Sequence, residues 1–405
     1  MSPLAASWMI NLSSVRSRTG LLPTFGEAVR RTEPLTTFHI DYYYSPRQPR
    51  GWTAVVNRLI SADSHVRVEL SAVRDRVPAA LRPAFDDAIA MQAASEKELR
   101  GGKALDLSDW DMEAFRDPGY SDPVARLAAM DRDGVQAEVL YSEVSAFRHF
   151  GLVKGDWRPI SRAFTDHLSE FAAVDPDRLA VSYQVPIIDV DYAVTEVVRL
   201  ADLGARSVHL PNFPSELGLP DYHDSVYDPL WAALSETDIA ISHHLGNPPH
   251  LYKVFQRDPT PQCGIFTSLP ALALAEVIAW WILTGTLERF PKLKIVFVEP
   301  SLYWVAGFLA SLDRKAAGPY DFPGLEHKPS EYFRRNMAVT FMDDEFGLRQ
   351  RHELGIENIL WSTDFPHPAT TWPNSQAAVD RQFADVPAAE RELICAGNSS
   401  RLYGL

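Results

Sequence analysis

The chain has 405 residues, of which 46% are hydrophobic and 23% are charged, and its formal net charge is -14 with a pI of about 5.3. This composition is typical of a globular protein with a large core. The acidic balance offers no basic stripe to phosphates, and no apolar stretch reaches the ~20 residues of a membrane span, so we expect neither a nucleic-acid partner nor a membrane segment.

The chain divides into two regions by composition. Residues 1–58 mix Ser, Arg, Thr and Pro without sustained periodicity, and we interpret them as an N-terminal extension. Residues 59–405 form the predicted body, with a polar, helical insertion at 66–122. Two cysteines far apart, Cys263 and Cys395, and the lack of a signal-peptide pattern predict reduced thiols in a cytoplasmic protein.

From residue 58 onward, short apolar runs alternate with helical patterns. Strands alternating with helices indicate a parallel sheet with right-handed crossovers. Eight such units favour a closed (β/α)8 TIM barrel, an α/β fold, over an open sheet, and no glycine-rich phosphate loop supports a nucleotide-binding alternative. The predicted strands are 58–63, 135–141, 179–185, 207–210, 239–243, 294–298, 337–341 and 358–361, and the predicted helices are 79–99, 122–132, 159–174, 191–203, 227–236, 269–290, 300–314 and 344–354.

Residues that bind metals in other proteins occur at four predicted strand ends. Asp63 and His65 follow the first strand, a His-His pair ends the fifth, Glu299 ends the sixth and Asp364 follows the eighth. Barrel enzymes place their chemistry at this edge. Each residue alone has an ordinary structural explanation, such as a helix cap or a buried histidine. Their shared position at the carboxyl ends predicts a site for a divalent metal, such as zinc or manganese.

Several segments, taken in order, resemble the amidohydrolase superfamily, in the branch related to amino-carboxymuconate-semialdehyde decarboxylase. The similarity runs from about Ser61 to Leu405. The matching segments are Ser61-Ala62-Asp63-Ser64-His65-Val66, 126–135, 227–231, 244–246, 289–296, Ser362-Thr363-Asp364-Phe365-Pro366-His367-Pro368 and 398–405.

The resemblance implies a single-metal site. Asp63 and His65 correspond to the first-strand pair, and the residue before x-Gly on the fifth strand selects His244 over His243. Asp364 corresponds to the acid that touches both the metal and its water and that shuttles the proton. Glu299 departs from the family pattern, because decarboxylases of the group commonly have a histidine there, and an ionised glutamate would repel a substrate carboxylate.

These residues predict a metal-dependent hydrolase of a small aromatic or cyclic substrate, in which a metal-activated water attacks and Asp364 transfers the proton. Glu299 would orient the substrate, bind the ion or act as a second acid or base. The alternative is a non-oxidative decarboxylase of an aromatic or unsaturated hydroxy acid. A third interpretation is a barrel that has lost catalysis and serves as a scaffold. We expect substrate contacts from His209, Phe365, His367 and Trp372. We also expect a homodimer or higher homo-oligomer, formed through the insertion and the N-terminal arm.

Overall fold

A computed structural model of the chain describes residues 58–103, 112–143, 146–246, 248–318, 322 and 324–405. The extension predicted over residues 1–58 lies outside these residues, apart from Arg58. Eight strands follow one another in the described part of the chain, and each pairs in parallel with the next. They are β1 Ile60–Val66, β2 Ala137–Ser142, β3 Leu179–Gln184, β4 Ser207–His209, β5 Ala240–His244, β6 Ile295–Val298, β7 Met337–Phe341 and β8 Ile359–Trp361.

The sheet closes where β1 meets the segment that follows β8. The amide of Asp364 donates to the carbonyl of Asp63 at 2.9 Å, and the amide of His65 donates to the carbonyl of Phe365 at 2.6 Å. A parallel bridge joins Ser64 and Phe365 between these bonds. With helices outside the strands, this closure makes the fold a (β/α)8 TIM barrel, as predicted.

Helices connect successive strands in the described residues. They are α1 Leu70–Arg76, α2 Arg82–Leu99, α3 Pro123–Asp133, α4 Ala146–Leu152, α5 Arg158–Ala172, α6 Val190–Asp202, α7 Asp228–Thr237, α8 Pro249–Arg257, α9 Gly264–Thr267, α10 Pro270–Leu283, α11 Thr286–Arg289, α12 Val305–Ala316, α13 Pro329–Asn336, α14 Glu345–Leu348, α15 Arg351–Leu354, α16 Ser375–Gln382, α17 Ala388–Glu392 and α18 Asn398–Tyr403.

Three predicted helices are interrupted or shortened in the structure, and the one expected over 344–354 is divided into α14 and α15 around Gln350. The other two differ for backbone reasons. The helix expected over 269–290 is divided into α10 and α11 at Gly285, whose φ of 75° lies in the left-handed region that glycine adopts readily. The helix expected over 300–314 begins only at Val305. Glu299 and Ser301 before it have φ values of 66° and 60°, which a right-handed helix excludes.

The largest buried side chains fill the layer between strands and helices, among them Trp231, Trp281 and Phe333. At the amino ends of the strands, Leu405 packs against Ile60 and Ala137, the first residues of β1 and β2. The C-terminal segment therefore covers this end of the barrel. The opposite end, at the carboxyl ends of the strands, is left for the functional site.

One helical segment of the described residues, Pro261–Leu283, is long and apolar enough to cross a membrane by length and composition alone. Its backbone departs from helical geometry at Gln262, and its α10 portion buries Leu274, Ile278 and Trp281 in the core. This packing is what a core helix of a barrel requires.

His149 on α4 makes the stability of the fold sensitive to acid. Its ring is fully buried, 5.2 Å from Phe85 and 5.7 Å from Phe164 between ring centroids. Burial lowers the pKa of His149 to about 4, below the ~6.5 of an unfolded histidine. Between these values the unfolded state gains a proton that the folded state excludes, so stability falls as the pH falls from 6.5 towards 4.

We therefore expect His149→Leu to lose less stability between pH 7 and pH 5 than the wild type, by about 2 kcal/mol. Urea unfolding at the two pH values measures the difference. His250→Leu, at an exposed position on α8, serves as the matched control and should keep the wild-type pH dependence. An unchanged pH dependence in His149→Leu would contradict this assignment.

Candidate metal centre

Four of the predicted site residues meet at the carboxyl ends of β1, β5 and β8. Asp63, His65 and His244 each offer a ligand atom, and these atoms all lie within 4.8 Å of one another. Asp364 follows β8, and its Oδ1 lies 3.1 Å from Nε2 of His65. All four residues are at most 9% exposed. The structure therefore brings together one buried set of side chains, which we call the ligand cluster.

The backbone at the closure of the barrel orients the side chains of Asp63 and Asp364. Asp63 and His65 lie two residues apart on β1, so their side chains share one face. Asp364 has a φ of 55°, an uncommon conformation that Asp tolerates better than most residues. The amide of Thr363 donates to Oγ of Ser61 at 2.8 Å, which ties the approach to Asp364 to β1.

The two adjacent histidines of β5 point in opposite directions. His243 faces outward, where its Nε2 accepts a hydrogen bond from Nε1 of Trp281 at 2.9 Å, and burial lowers its pKa to about 3. His244 faces the barrel interior, with its Nε2 3.3 Å from Oδ1 of Asp63. Burial lowers the pKa of His244, but the charge and hydrogen bond of Asp63 outweigh burial and raise it to about 9. His244 is therefore the histidine of this pair that belongs to the ligand cluster.

The ligand cluster has the chemistry that a divalent cation requires. Asp63 and Asp364 are both fully buried. Their Oδ2 atoms find no hydrogen-bond partner among the described residues. Buried carboxylates in this state are costly unless a positive charge compensates them. Two carboxylates and two imidazoles form a donor set that suits zinc or manganese, so the residues fit one divalent ion.

Glu299 lies beside the ligand cluster, after the end of β6. Its carboxylate, a ring nitrogen of His367 and a carboxylate oxygen of Asp364 lie within 4.8 Å of one another. Burial raises the pKa of Glu299 well above its usual range, and the negative charge of Asp364 adds to this effect. A carboxyl group that keeps its proton here donates a hydrogen bond and does not repel an anion.

Glu143, which the sequence analysis missed, connects two histidines on the other side of the ligand cluster. Its Oε1 lies 3.3 Å from Nδ1 of His65 and 3.0 Å from Nε2 of His367. His367 in turn places its Nδ1 2.9 Å from Oδ1 of Asp364. Glu143 comes directly after β2, so the rule that selected the other strand-end residues also applies to this one.

The charges of Glu143, His367 and Asp364 shift one another's pKa values. Burial raises the pKa of Glu143, but the positive fields of His65 and His367 outweigh burial and lower it to about 2. Burial lowers the pKa of His367, but hydrogen bonds with Asp364 and Glu143 raise it to about 11. The pKa of Asp364 is lowered despite burial by its contacts with His367 and His65. The pKa of Asp364 therefore lies below its usual range, while the pKa of its neighbour Glu299 lies above its usual range.

A cavity of about 490 Å³ opens above the ligand cluster, and we call it the metal cavity. His65, His244 and Glu299 reach it from below, and the predicted substrate contacts His209 and His367 also line it. Burial lowers the pKa of His209, so its imidazole is neutral. The volume is within the range of pockets that bind small molecules.

The other two predicted substrate contacts, Phe365 and Trp372, lie outside the metal cavity. Phe365 is buried with the guanidinium carbon of Arg126 4.5 Å from its ring centroid. Trp372 packs edge-on against Phe365 at 5.2 Å and donates through Nε1 to the carbonyl of Ala129 at 3.3 Å. Both rings belong to the segment after β8, and neither is among the described residues that line the cavity.

Arg126 supports the ligand cluster from α3. Its buried guanidinium donates to Glu138 at 2.6 Å, to Oγ of Ser64 at 3.1 Å and to the carbonyl of His65 at 2.9 Å. Because an arginine fork fixes several acceptors at once, Arg126 joins β1, β2 and the Phe365 loop. Sequence patterns gave no role to this residue, since its partners are distant along the chain.

The family model described as Amidohydrolase matches residues 108–405. The chain belongs to the amidohydrolase family. This confirms the resemblance seen in the sequence segments.

Solved structures share the fold across most of the chain. The 5-carboxyvanillate decarboxylase LigW from Sphingomonas paucimobilis is 23% identical, with a TM-score of 0.63 over 86% of this chain and 99% of that chain. An amidohydrolase from Mycobacterium avium subsp. paratuberculosis K-10 is 21% identical, with a TM-score of 0.67 over 87% and 99%. A dihydroxybenzoic acid decarboxylase from Polaromonas sp. JS666, with bound manganese and the inhibitor 2-nitroresorcinol, is 20% identical, with a TM-score of 0.58 over 86% and 97%.

These comparisons correct one prediction. We expected hydrolysis as the main activity of this amidohydrolase, with decarboxylation as the alternative. The structural relatives with a named reaction include decarboxylases of carboxyvanillate and dihydroxybenzoate. The hydrolase prediction is therefore wrong, and the comparisons favour its alternative.

The affinity of the ligand cluster for a divalent ion should depend on pH. A metal binds a histidine nitrogen only after the proton leaves, and His244 keeps a proton below a pKa of about 9. Between pH 6 and pH 8 we expect the Mn²⁺ affinity to rise about tenfold per pH unit for each proton displaced. Titration calorimetry in two buffers of different ionisation enthalpy counts these protons. Binding at pH 7 without proton release would contradict the prediction.

Proposed function

We propose that the chain is a metal-dependent, non-oxidative decarboxylase of an aromatic hydroxy acid. The observation that carries this proposal is the position of Glu299, whose carboxyl group lines the metal cavity beside the ligand cluster. Decarboxylation of an aromatic acid requires a proton at the ring carbon that loses the carboxylate. Glu299 is a partly exposed acid that lines this cavity, and burial together with the negative charge of Asp364 raises its pKa well above the usual range.

Asp63, His65, His244 and Asp364 would hold the cation, which we propose to be manganese or zinc. When bound, a divalent cation supplies an electrophilic anchor for the carboxylate and the neighbouring hydroxyl of the substrate. Both metals suit this donor set, and the relative from Polaromonas binds manganese.

In the proposed reaction, Glu299 delivers its proton to the ring carbon that bears the carboxylate. The bond between that carbon and the carboxylate breaks, its electron pair stays with the ring, and carbon dioxide leaves. Glu299 then recovers a proton from water, so that the carboxylate and one proton yield the arene and carbon dioxide. Neutral His209 in the cavity wall orients the substrate by hydrogen bonding.

The walls of the metal cavity favour a flat substrate. Four aromatic residues line it, and they come from different elements: Tyr141, Phe147, Phe213 and Tyr252. Aromatic rings stack or pack edge-on against such side chains.

Assembly into a homodimer or higher oligomer and a cytoplasmic location both stay predictions.

A substrate panel tests the proposed reaction directly. The Mn²⁺-loaded protein is incubated with ortho-hydroxybenzoates and dihydroxybenzoates, and separately with aromatic amides, esters and lactones. We expect carbon dioxide and a phenol from at least one acid, and no hydrolysis products from the second group. Acid release from an ester or amide, without carbon dioxide from any hydroxy acid, would refute the proposal.

Two variants separate the proton donor from the ligand cluster. Glu299→Gln should keep the bound metal and lower kcat about 10²- to 10⁴-fold, because a positioned acid is lost. Asp364→Asn should keep the fold, by circular dichroism, but lose both bound metal and turnover. Glu98→Gln, exposed on α2, is the matched control and should behave as the wild type. Wild-type kcat in Glu299→Gln would remove that residue from the mechanism.

A further inference from the structure

A second cavity, of about 420 Å³, lies beside the metal cavity. Five residues line both, so the two cavities share one wall: Glu96, Phe147, Arg148, Glu216 and Leu217. These residues come from α2, α4 and the 3-10 turn Pro214–Leu217. A ligand bound at the ligand cluster therefore has a second cavity next to it. Side chains, and not backbone strands, separate the two cavities.

The polar part of the shared wall is weakly held. Nη2 of Arg148 lies 3.9 Å from Oε2 of Glu216, which is beyond hydrogen-bond distance, and the two side chains are 31% and 27% exposed. Ion pairs of this length and exposure contribute little stability. Arg148 and Glu216 can therefore separate at low cost to let a ligand pass between the cavities.

The lining of the second cavity is largely apolar away from the shared wall. It includes Leu99, Leu152, Ile188 and Leu219. The side chain of Ile188 is 37% exposed to solvent. Gly151 on α4 adds further room, because a Cβ built there would meet no atom within 4 Å. A concave apolar surface beside an active site is the usual form of a ligand subsite.

We propose that the substrate is an aromatic hydroxy acid with an apolar substituent, an alkyl chain or a second ring, which crosses the shared wall and lies in the second cavity. The assignment of the acid end rests on the function proposed above. The carboxylate and hydroxyl lie at the ligand cluster, the ring lies between the aromatic walls, and the apolar substituent lies against Leu152 and Ile188. Loss of carbon dioxide leaves the substituent unchanged, so the product is a phenol that still carries it.

The test is a series of 2-hydroxybenzoates with linear alkyl chains of zero to eight carbons at each free ring position. With the Mn²⁺-loaded full chain, KM should fall about fourfold for each added methylene, the gain expected for burying one such group, until the cavity is filled. The effect on kcat should be small. A KM that does not fall with chain length at any ring position would overturn the proposal.

A cavity-filling variant shows where the chain lies. Gly151→Phe places a ring in the second cavity and should bring the KM ratio between the unsubstituted and the longest productive acid close to one. Gly307→Phe, at an exposed helical glycine of α12 that also has open space around its Cβ, is the matched control and should keep the wild-type ratio. If Gly151→Phe keeps the wild-type ratio, the chain does not occupy this cavity.

Calorimetric binding of the same acids separates this inference from the proposed function. Tighter binding with longer chains in the wild type but not in Gly151→Phe, without any carbon dioxide, would support the second cavity and refute decarboxylation. Carbon dioxide release from all acids with no dependence on chain length would support decarboxylation and refute the second cavity.

Discussion

The closure of the barrel between β1 and the segment after β8 is the constraint on which the site depends. The backbone bond from the amide of Asp364 to the carbonyl of Asp63 completes the cylinder and also places two carboxylates side by side. Both are buried, and each has an oxygen that no described hydrogen-bond donor reaches. Folding thus creates a concentrated negative charge that only a cation or bound protons can balance. The closure of the barrel and the candidate metal site therefore depend on the same backbone contact.

Around this closure, the pKa values of two neighbouring carboxyl groups, Asp364 and Glu299, are shifted in opposite directions. His65 and His367 contact Asp364 and lower its pKa. Glu143, which lines the metal cavity, places its Oε1 within 3.3 Å of a ring nitrogen of each histidine. Burial raises the pKa of Glu299 well above its usual range, and the negative charge of Asp364 adds to this effect. Carboxyl groups whose environments push their pKa values apart are a common basis for acid–base chemistry. This separation supports the proposed roles, in which Asp364 binds the cation and Glu299 donates the proton.

Much of this arrangement could be predicted from sequence because parallel strands align their carboxyl ends at one edge. That rule brought Asp63, His65, the His243-His244 pair and Asp364 together, although they are up to 301 residues apart in the numbering. The family resemblance then selected His244 from the pair. The same rule applied to β2 would have identified Glu143. The rule did not determine side-chain direction within the loop after β8, where Phe365 turns away from the cavity to pack under Arg126. The reaction could not be predicted either, since one donor set serves both hydrolysis and decarboxylation.

Anomalous diffraction from crystals grown with Mn²⁺ shows whether the ligand cluster holds one divalent cation. We expect a single strong anomalous peak within about 2.0–2.3 Å of a nitrogen of His65, a nitrogen of His244 and an oxygen from each of Asp63 and Asp364. A cluster without a peak in crystals that carry Mn²⁺ elsewhere, or a peak bound by Glu143 and His367 but not by Asp63, would contradict it.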